Sequence, residues 1–432
     1  MLVALCLVTV LAVAVVGFFA VSQRTMELSN RSFCYTSSVL LAEIGMEEAL
    51  QALNTSGYSW ATSGWTTATV SGVPTATRTL TGFYTNNGLQ GTVNITVQYY
   101  TALAPYTQPP VITSVGTSQM PDGITINKQL MAYAKPAALF GSAVGAYSSC
   151  SFTIAYTYPI KSYESHVSLD PNNSAQTRKD EAIVSAPTVS GNAATISGYV
   201  ATTGSGPAWT SGGTVTRANS SRSPDPLCIS TNASQINLAI LSDNNLPGTY
   251  AGIADPVLNP TMGTVGATVT SRYVTTNNLS LSSTQTITVN GPVIIVVDGN
   301  FSITGSAKIV IQSGGSLQIV VGGEIKIQGN GIDNTATKLP GNLAIFGRSS
   351  NSYSDINDYT AQLQTSSPFY GVIYVPNGSL QLYGTTTVYG ALVANVIDEG
   401  YGAANLRYDL DLRKTTFSAL TTPFSISQWL SK

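Results

Sequence analysis

Charged residues are scarce in this chain of 432 residues. Only 9% of the residues are Asp, Glu, Lys or Arg, and 19 basic against 21 acidic side chains give a net charge of −2. A nucleic-acid-binding protein needs a basic patch, and this composition is too poor in Lys and Arg to form one. Gly, Ser, Thr, Asn and Tyr are abundant instead, which is typical of extracellular β-rich proteins.

Histidine and cysteine are also rare, with one His and four Cys. Because no C-x-x-C and no Cys/His spacing of a metal site occurs, the sequence predicts no such metal centre. Cys6 lies in an apolar stretch and is expected to be a small buried hydrophobe. Cys150 and Cys228 lie in β-rich sequence and are candidates for a disulfide in an oxidising compartment, with free thiols as the alternative.

The first 54 residues predict one long helix. Residues 1–20 contain no charge and no proline, and about 20 apolar residues at about 1.5 Å each span the ~30 Å hydrocarbon core of a bilayer. Residues 21–54 carry six charges, so this part cannot lie in lipid. Its apolar side chains recur at helical spacing, which predicts that one side packs on protein. Two stripes result, Val39, Met46, Leu50 and Leu53 on one and Phe33, Leu40 and Ile44 on the other.

Three interpretations of this helix are open. A secretory signal peptide is disfavoured because no basic segment precedes the apolar run and no cleavage site followed by a turn ends it. A single-pass membrane anchor that carries an outer domain is the second interpretation. The third is a stalk, in which the helix continues as the spine of a globular head.

Three segments of the helix favour the stalk: LVAL at 2–5, MEL at 26–28 and LAEIGMEEALQALN at 41–54. With these segments the helix resembles the N-terminus of pilin-like proteins of the minor type IV pilin class, in which it forms a pilin stalk. Most major pilins have glutamate at the fifth mature position, and Leu5 stands there in this chain, which leaves a major and a minor or tip subunit both open. Without that glutamate, the Met1 amine is expected to bind carbonyls or the Thr9 hydroxyl, or to be methylated. The resemblance implies a filament core, or a membrane segment before assembly, that contains Met1, Leu5, Cys6, Thr9, Val13, Phe18 and Phe19.

Beyond residue 54 the apolar period changes from 3.6 to 2. Thr92–Tyr100 (TVNITVQYY) alternates most clearly, and prolines separate it from similar stretches. Such runs predict short strands. We therefore expect a small β-rich collar at 55–140 whose apolar strand faces cover both stripes of the helix.

A repeated unit appears from about residue 141 onward. It reads hydrophobic, any, hydrophobic, any, Gly, and copies end at Gly305, Gly329 and Gly384. Phe301 and Ile325, which open two copies, are 24 residues apart, close to one coil of a parallel β-solenoid. The glycines are expected at corners that need a positive φ. An antiparallel sandwich is the alternative, although it does not require a fixed period.

This region also resembles the C-terminal domain of many pilin-like proteins, over roughly 160–412. Where that family usually has His, Arg407 stands here, so no role of that histidine is transferred. The predicted fold is α+β and mostly β: a helix at 1–54, a collar at 55–140, a right-handed parallel β-helix or solenoid head at 141–412 and a tail at 413–432. The carrying segments are IKSYES at 160–165, VVDGNFSITG at 296–305, VVGGEIKIQGNG at 320–331, LAIFG at 343–347, FYGVIYVPNGSLQLYG at 369–384, VYGALV at 388–393 and RYDLDL at 407–412.

Solenoids also house polysaccharide-cleaving enzymes, which need paired carboxylates on adjacent coils. Asp298 and Glu324 are candidates for such stacking, although solvated turn residues are the simpler interpretation. Asp355 and Asp358 are a weak Ca²⁺ candidate, since carboxylates are its preferred ligands. The only histidine, His166, is interpreted as a surface or hydrogen-bonding residue. The sequence therefore predicts no catalytic site and no cofactor.

Together these patterns predict a structural subunit of an extracellular type IV pilus-like filament. Its expected partners are copies of itself, other pilin-like subunits and the assembly machinery, together with the cytoplasmic membrane before assembly and surface glycans. The first alternative is a membrane-anchored, monomeric adhesin or glycan-binding protein. A polysaccharide-active β-helix enzyme is the second alternative.

Overall fold

The computed structural model consists of two compact units, Met1–Ala137 with Pro423–Lys432, and Ala138–Thr422. It is a long N-terminal helix followed by a β-rich body. The structure describes residues 2–430 except 55–59, 85–89, 101–108, 121–122, 137–138, 153–159, 177, 192–194, 202–208, 211–213, 217–248, 253–260, 268, 350–358, 400–404, 416 and 418–423.

The first unit combines one helix with one antiparallel sheet. Helix α1 covers Leu2–Asn54, which confirms the single long helix predicted from the sequence. Six strands run in the order β1-β2-β3-β4-β5-β29, the last strand of the chain lying at one edge. Their bounds are Thr66–Val70 for β1, Val73–Tyr84 for β2, Gln90–Gln98 for β3, Val111–Gln119 for β4, Thr125–Pro136 for β5 and Phe424–Leu430 for β29.

The helix contacts the sheet through small residues. These lie at helical spacing along its second half and are buried, so the helix backbone can approach the strands closely. The opposing strands supply larger side chains such as Val93, Ile95 and Ile112, which are also buried. The helix residues of this face are Cys34, Ser38, Ala42, Gly45, Ala49 and Ala52.

Of the two apolar stripes predicted on the helix, only one lies against the sheet. Met46 is buried, and Leu50 and Leu53 are partly buried and pack on the same core. The stripe of Leu40, Ile44 and Phe33 remains exposed. The expectation that both stripes are covered is therefore corrected. The sheet packs on the face of small residues, because the helix backbone can approach the strands more closely there.

The C-terminal segment, predicted as a tail at 413–432, contributes to both units. Leu410–Lys414 forms a short 3-10 helix in the second unit. Strand β29 pairs antiparallel with β5, with Ile426 opposite Ala134. The end of the helix contacts this strand, since the Asn54 side-chain amide donates to the Phe424 carbonyl at 3.1 Å.

The second unit contains the remaining strands. All pairings recorded among its described residues are parallel, so an antiparallel sandwich does not describe it. The bounds are β6 Val144–Phe152, β7 Lys161–Tyr163, β8 Ala182–Ser185, β9 Thr188–Gly191, β10 Thr195–Ala201, β11 Trp209–Thr210, β12 Thr214–Thr216, β13 Thr249–Gly252, β14 Thr261–Met262, β15 Ser271–Thr275, β16 Leu279–Leu281, β17 Thr286–Val289, β18 Pro292–Val297, β19 Phe301–Ile303, β20 Lys308–Ile311, β21 Ser316–Val321, β22 Ile325–Gly329, β23 Ile332–Asp333, β24 Leu343–Gly347, β25 Ala361–Thr365, β26 Phe369–Leu382, β27 Thr387–Glu399 and β28 Asn405–Asp409.

In the middle of this unit, a strand typically pairs with the strand that comes three places later in the chain. One ladder runs β15–β18–β21–β24–β26, a second β16–β19–β22–β25–β26 and a third β14–β17–β20–β23. Phe301 lies opposite Ile325, so the 24-residue spacing seen in the sequence is the pairing register. The apolar side chains of the repeats are buried in one continuous core that includes Ile295, Ile319 and Ile345.

The N-terminal strands of the second unit follow its C-terminal strands in space. Strand β6 pairs with β27, placing Val144 opposite Leu392, and β7 pairs with β28, placing Tyr163 opposite Asp409. Strands β8 and β9 then pair with β6. The order of the ladder therefore differs from the order of the chain, because residues 144–201 extend the end formed by residues 387–409.

Candidate assembly surface

The N-terminal half of α1 exposes apolar side chains on all sides. Leu5 is 66% exposed, Phe18 72% and Phe19 63%, and Val13 is exposed as well. Within the described part of the chain, α1 is the one helix long and apolar enough to cross a membrane, and none of its most apolar window is buried. Water solvates such a surface poorly, since burying one Val, Leu or Phe side chain is worth roughly 1.5–3 kcal/mol.

Two residues predicted for this segment have polar groups. The exposed Thr9 hydroxyl donates within its own helix to the Cys6 carbonyl at 2.8 Å, with the Leu5 carbonyl at 3.1 Å. Its oxygen retains lone pairs for a further donor. Cys6 is a free, exposed thiol, which corrects the expectation that it is buried within this chain, because none of the described residues covers this part of the helix. Met1 lies outside the described residues.

Close backbone contacts fix the second half of the helix. A Cβ on Gly116 of β4 would lie 2.1 Å from the Ser38 carbonyl oxygen, so only glycine fits there. The Ser38 hydroxyl lies 2.8 Å from both the Cys34 and the Ile126 carbonyl oxygens, which links the helix to β5.

Charged side chains add to this contact. Arg78 of β2 pairs with Glu48, and the Lys128 ammonium lies 4.1 Å from the centre of the Tyr35 ring. These contacts hold the C-terminal part of the helix, residues 34–54, on the sheet; this part is called the upper half. The N-terminal part, residues 2–33, is called the lower half and extends without cover from the described residues of this unit.

The turn glycines of the repeats have the backbone conformation that the sequence leads one to expect. Gly305, Gly329 and Gly384 have φ values of +68°, +67° and +74°. At Gly329 a second constraint applies, because an added Cβ would lie 2.0 Å from the Gly305 carbonyl oxygen.

The two carboxylates considered for catalysis do not stack on each other. Asp298 follows β18 at the height of Gly322, whereas Glu324 lies opposite Asn300. Asp298 is paired with Arg348 at 2.8 Å. The Glu324 N–H donates to the Asn300 side chain at 2.9 Å. The predicted stacking is therefore wrong by two residues, and both carboxylates behave as turn residues.

Neither the calcium nor the disulfide candidate is assembled in the described residues. Asp355, Asp358 and Cys228 lie outside them. Cys150 is a free thiol, buried in the core of the second unit, and burial raises its pKa well above the usual value. Cys150 forms no disulfide with any described residue, and its pairing with Cys228 stays a prediction. No group of three His, Cys, Asp or Glu in the described residues could hold a metal ion.

A polar cluster joins β7 to β28, and sequence reasoning did not predict it. Arg178 contacts Glu164 at 3.3 Å and donates from its Nε to Glu181 at 2.8 Å. Arg413 lies 3.8 Å from Glu181. Both glutamates are buried, so the arginines compensate charge that the interior would otherwise disfavour. The only sequence signal was the paired occurrence of IKSYES and RYDLDL.

His166 belongs to the same cluster as a hydrogen-bonding residue. Its Nδ1 lies 2.8 Å from the Asp411 carboxylate, and the Ser165 hydroxyl donates to that carboxylate at 3.1 Å. Burial would raise the pKa of Asp411, but these hydrogen bonds outweigh it and lower the pKa. For Asp409, burial prevails and raises the pKa. Ser165 is bonded to the carboxylate and not to the imidazole, so this group is not arranged as a nucleophile with its base.

The chain was compared with protein families, curated proteins and solved structures. Residues 210–415 match a domain of unknown function, DUF7305, a little under half of the chain. No curated protein matches. Among solved structures, the chain is similar to the competence-associated pilin ComZ from Thermus thermophilus, with 11% identity over 92% of this chain and 97% of that one, at a TM-score of 0.28. A TM-score of this size does not establish a shared fold.

Proposed function

We propose that this chain is a structural subunit of an extracellular type IV pilus-like filament. The observation that carries the proposal is the helix α1, whose upper half is held on a sheet while its lower half exposes an apolar surface. Neighbouring helices would cover that surface in a filament. Side-chain packing would then hold the filament core, as it holds helices together in a membrane.

The length of the exposed surface favours a filament over a monomeric anchor. A bilayer core covers about 20 residues of a helix. Exposed apolar side chains continue beyond the first charges, with Met26, Phe33, Leu40 and Ile44. From Val3 to Ile44 the helix rises about 60 Å, twice the hydrocarbon thickness. A monomer anchored in lipid leaves the upper part in water, whereas helices of other subunits can cover both parts.

The other features fit the same role. The three parallel ladders support a β-solenoid head with one strand from each ladder per coil, displayed outside the filament. Its role would be non-enzymatic, with surface glycans as candidate ligands. Before assembly the apolar half of α1 would hold the subunit in the cytoplasmic membrane. Other pilin-like subunits and the assembly machinery would then be its partners.

Electron microscopy of material sheared from the cell surface tests the proposal. We expect filaments that contain this chain, and their loss in a Phe19→Asp variant, because a carboxylate in the apolar core is costly. A Glu324→Gln variant in an exposed turn of the second unit is the matched control and should leave filaments unchanged. Dispersed monomers in detergent, with no filaments on cells, would support the membrane-anchored adhesin instead.

A further inference from the structure

The lower half of α1 has a basic face directly below the sheet. Arg24, Leu28 and Arg31 share one face, and the same face continues seven residues later to Ser38. From Cys34 upward the sheet covers this face, but the two arginines lie below the covered part and are exposed. Neither arginine has an ion pair within the described residues.

The upper half of α1 has an acidic face on the side away from the sheet. Leu40, Glu43, Ile44 and Glu47 follow the i, i+3, i+4, i+7 spacing of a single face, and all four are exposed. Glu48, one position further on, pairs with Arg78 of the same chain. Glu43 and Glu47 have no such partner among the described residues.

We propose that these two faces bind each other between successive copies of this chain. The acidic face of one copy would lie beneath the sheet of the next copy, against its Arg24 and Arg31. This inference rests on the proposed filament and adds the register of its subunits. The binding partner of each face is a second copy of this chain, because the two faces are complementary in charge. Each face also presents an exposed apolar side chain, Leu28 on the basic face and Leu40 on the acidic face.

The positions of the charges define the axial shift between neighbouring copies. Arg24 and Glu43 are 19 residues apart and Arg31 and Glu47 are 16 apart. At about 1.5 Å per residue, parallel helices would be displaced by about 24–29 Å. Long arginine side chains can take up the difference between the two values. Glu27 flanks the basic face and leaves it with a net positive charge.

The two faces differ, so the contact is heterologous. A heterologous contact that does not close into a ring produces an open helical filament. Exposed charge pairs contribute little affinity, but they discriminate strongly between registers because like charges are brought together when the register is wrong. In this arrangement the apolar half of α1 supplies the affinity and the charges select the stagger.

Charge reversal on each face tests the inference. In cells that produce the full chain, R24E/R31E alone and E43R/E47R alone should each reduce filament mass about tenfold or more, because each places like charges in contact. Co-production of the two variants should restore filaments, since every contact in an alternating copolymer is again complementary. The quadruple variant should assemble alone. Glu324→Arg, which reverses one exposed charge in a turn of the second unit, is the control and should leave filaments unchanged.

The outcomes separate this inference from the proposed function. Each variant is first shown to be folded by its thermal transition in detergent. If wild type and both double variants form filaments equally, or if co-production of folded variants fails to restore them, the charge register is wrong while the filament stands. If wild-type protein forms no filaments, the proposed function fails and the inference with it.

Discussion

Replacement of Gly116 by alanine should loosen the contact between α1 and its sheet. The added Cβ would lie 2.1 Å from the Ser38 carbonyl oxygen and 2.6 Å from the Ala42 nitrogen. Both obstacles are helix backbone, so no side-chain rotation relieves them. The helix would have to move from β4 by about 1.5 Å to reach ordinary van der Waals contact.

The magnitude follows from the cost of overpacking. Inserting a methyl group into a packed core costs about 1–3 kcal/mol, and a backbone obstacle places Gly116→Ala at the upper end, about 3 kcal/mol. In a unit of this size, that loss of unfolding free energy corresponds to a decrease in Tm of roughly 6–12 °C. The Ser38 hydroxyl, which bridges to β5, moves with the helix and weakens the same contact.

Tryptophan fluorescence during thermal unfolding in detergent measures the effect, because the buried Trp65 lies in the core of the first unit. Gly17→Ala is the matched control: an added Cβ there meets nothing within 4 Å, and alanine favours a helix by up to about 1 kcal/mol. A transition of Gly116→Ala at the wild-type temperature would refute the close packing of helix on sheet.

Three further predictions concern the second unit. Gly329→Ala should lower the unfolding free energy by at least about 1 kcal/mol more than Gly305→Ala in chemical denaturation, because both require a positive φ but only the former brings Cβ to 2.0 Å from a carbonyl oxygen; equal effects would contradict this. Burial, with neighbouring charge, raises the pKa of Tyr370 to about 12; the unfolded chain releases this proton first, so the unfolding free energy should decrease from pH 10 toward 12, and less steeply in Tyr370→Phe. Arg178→Ala should destabilise by about 2 kcal/mol in the same denaturation assay, less than for a fully buried pair because Arg178 is 36% exposed, whereas an unchanged midpoint would show that Glu181 does not depend on it.

The long helix and the repeats could be predicted because their signals are local. An uninterrupted apolar run followed by helical spacing up to Asn54 needs no tertiary information. The 24-residue spacing from Phe301 to Ile325 is likewise the register itself, since in a parallel ladder equivalent residues of successive coils lie side by side. Burial of the inner positions then follows from their apolar character.

Non-local contacts could not be predicted in the same way. The pairing of Val144 with Leu392 has no local signal, because any apolar strand of the second unit could extend that ladder. The helix face that meets the sheet was misjudged for another reason: large apolar residues such as Leu40 suggested a core, while the close approach at Gly116 selected the small residues.

The candidate assembly surface, the exposed apolar part of α1, could be predicted only in part. Its apolar character could be predicted from composition alone, but its exposure could not, since an apolar helix is as often buried in its own chain. The separation of Arg24 and Arg31 from Glu43 and Glu47 is visible in the sequence. Its meaning depends on which face the sheet covers, and only the structure identifies that face.

A cryo-electron microscopy reconstruction of material sheared from the cell surface tests the central claim most directly. The account predicts a helical filament in which residues 3–21 of every copy lie at the centre, with neighbouring helix axes about 8–10 Å apart. Each copy should be displaced along its charge-paired neighbour by about 24–29 Å. The account is contradicted if the chain is recovered only as separate monomers whose apolar helix is surrounded by lipid or detergent.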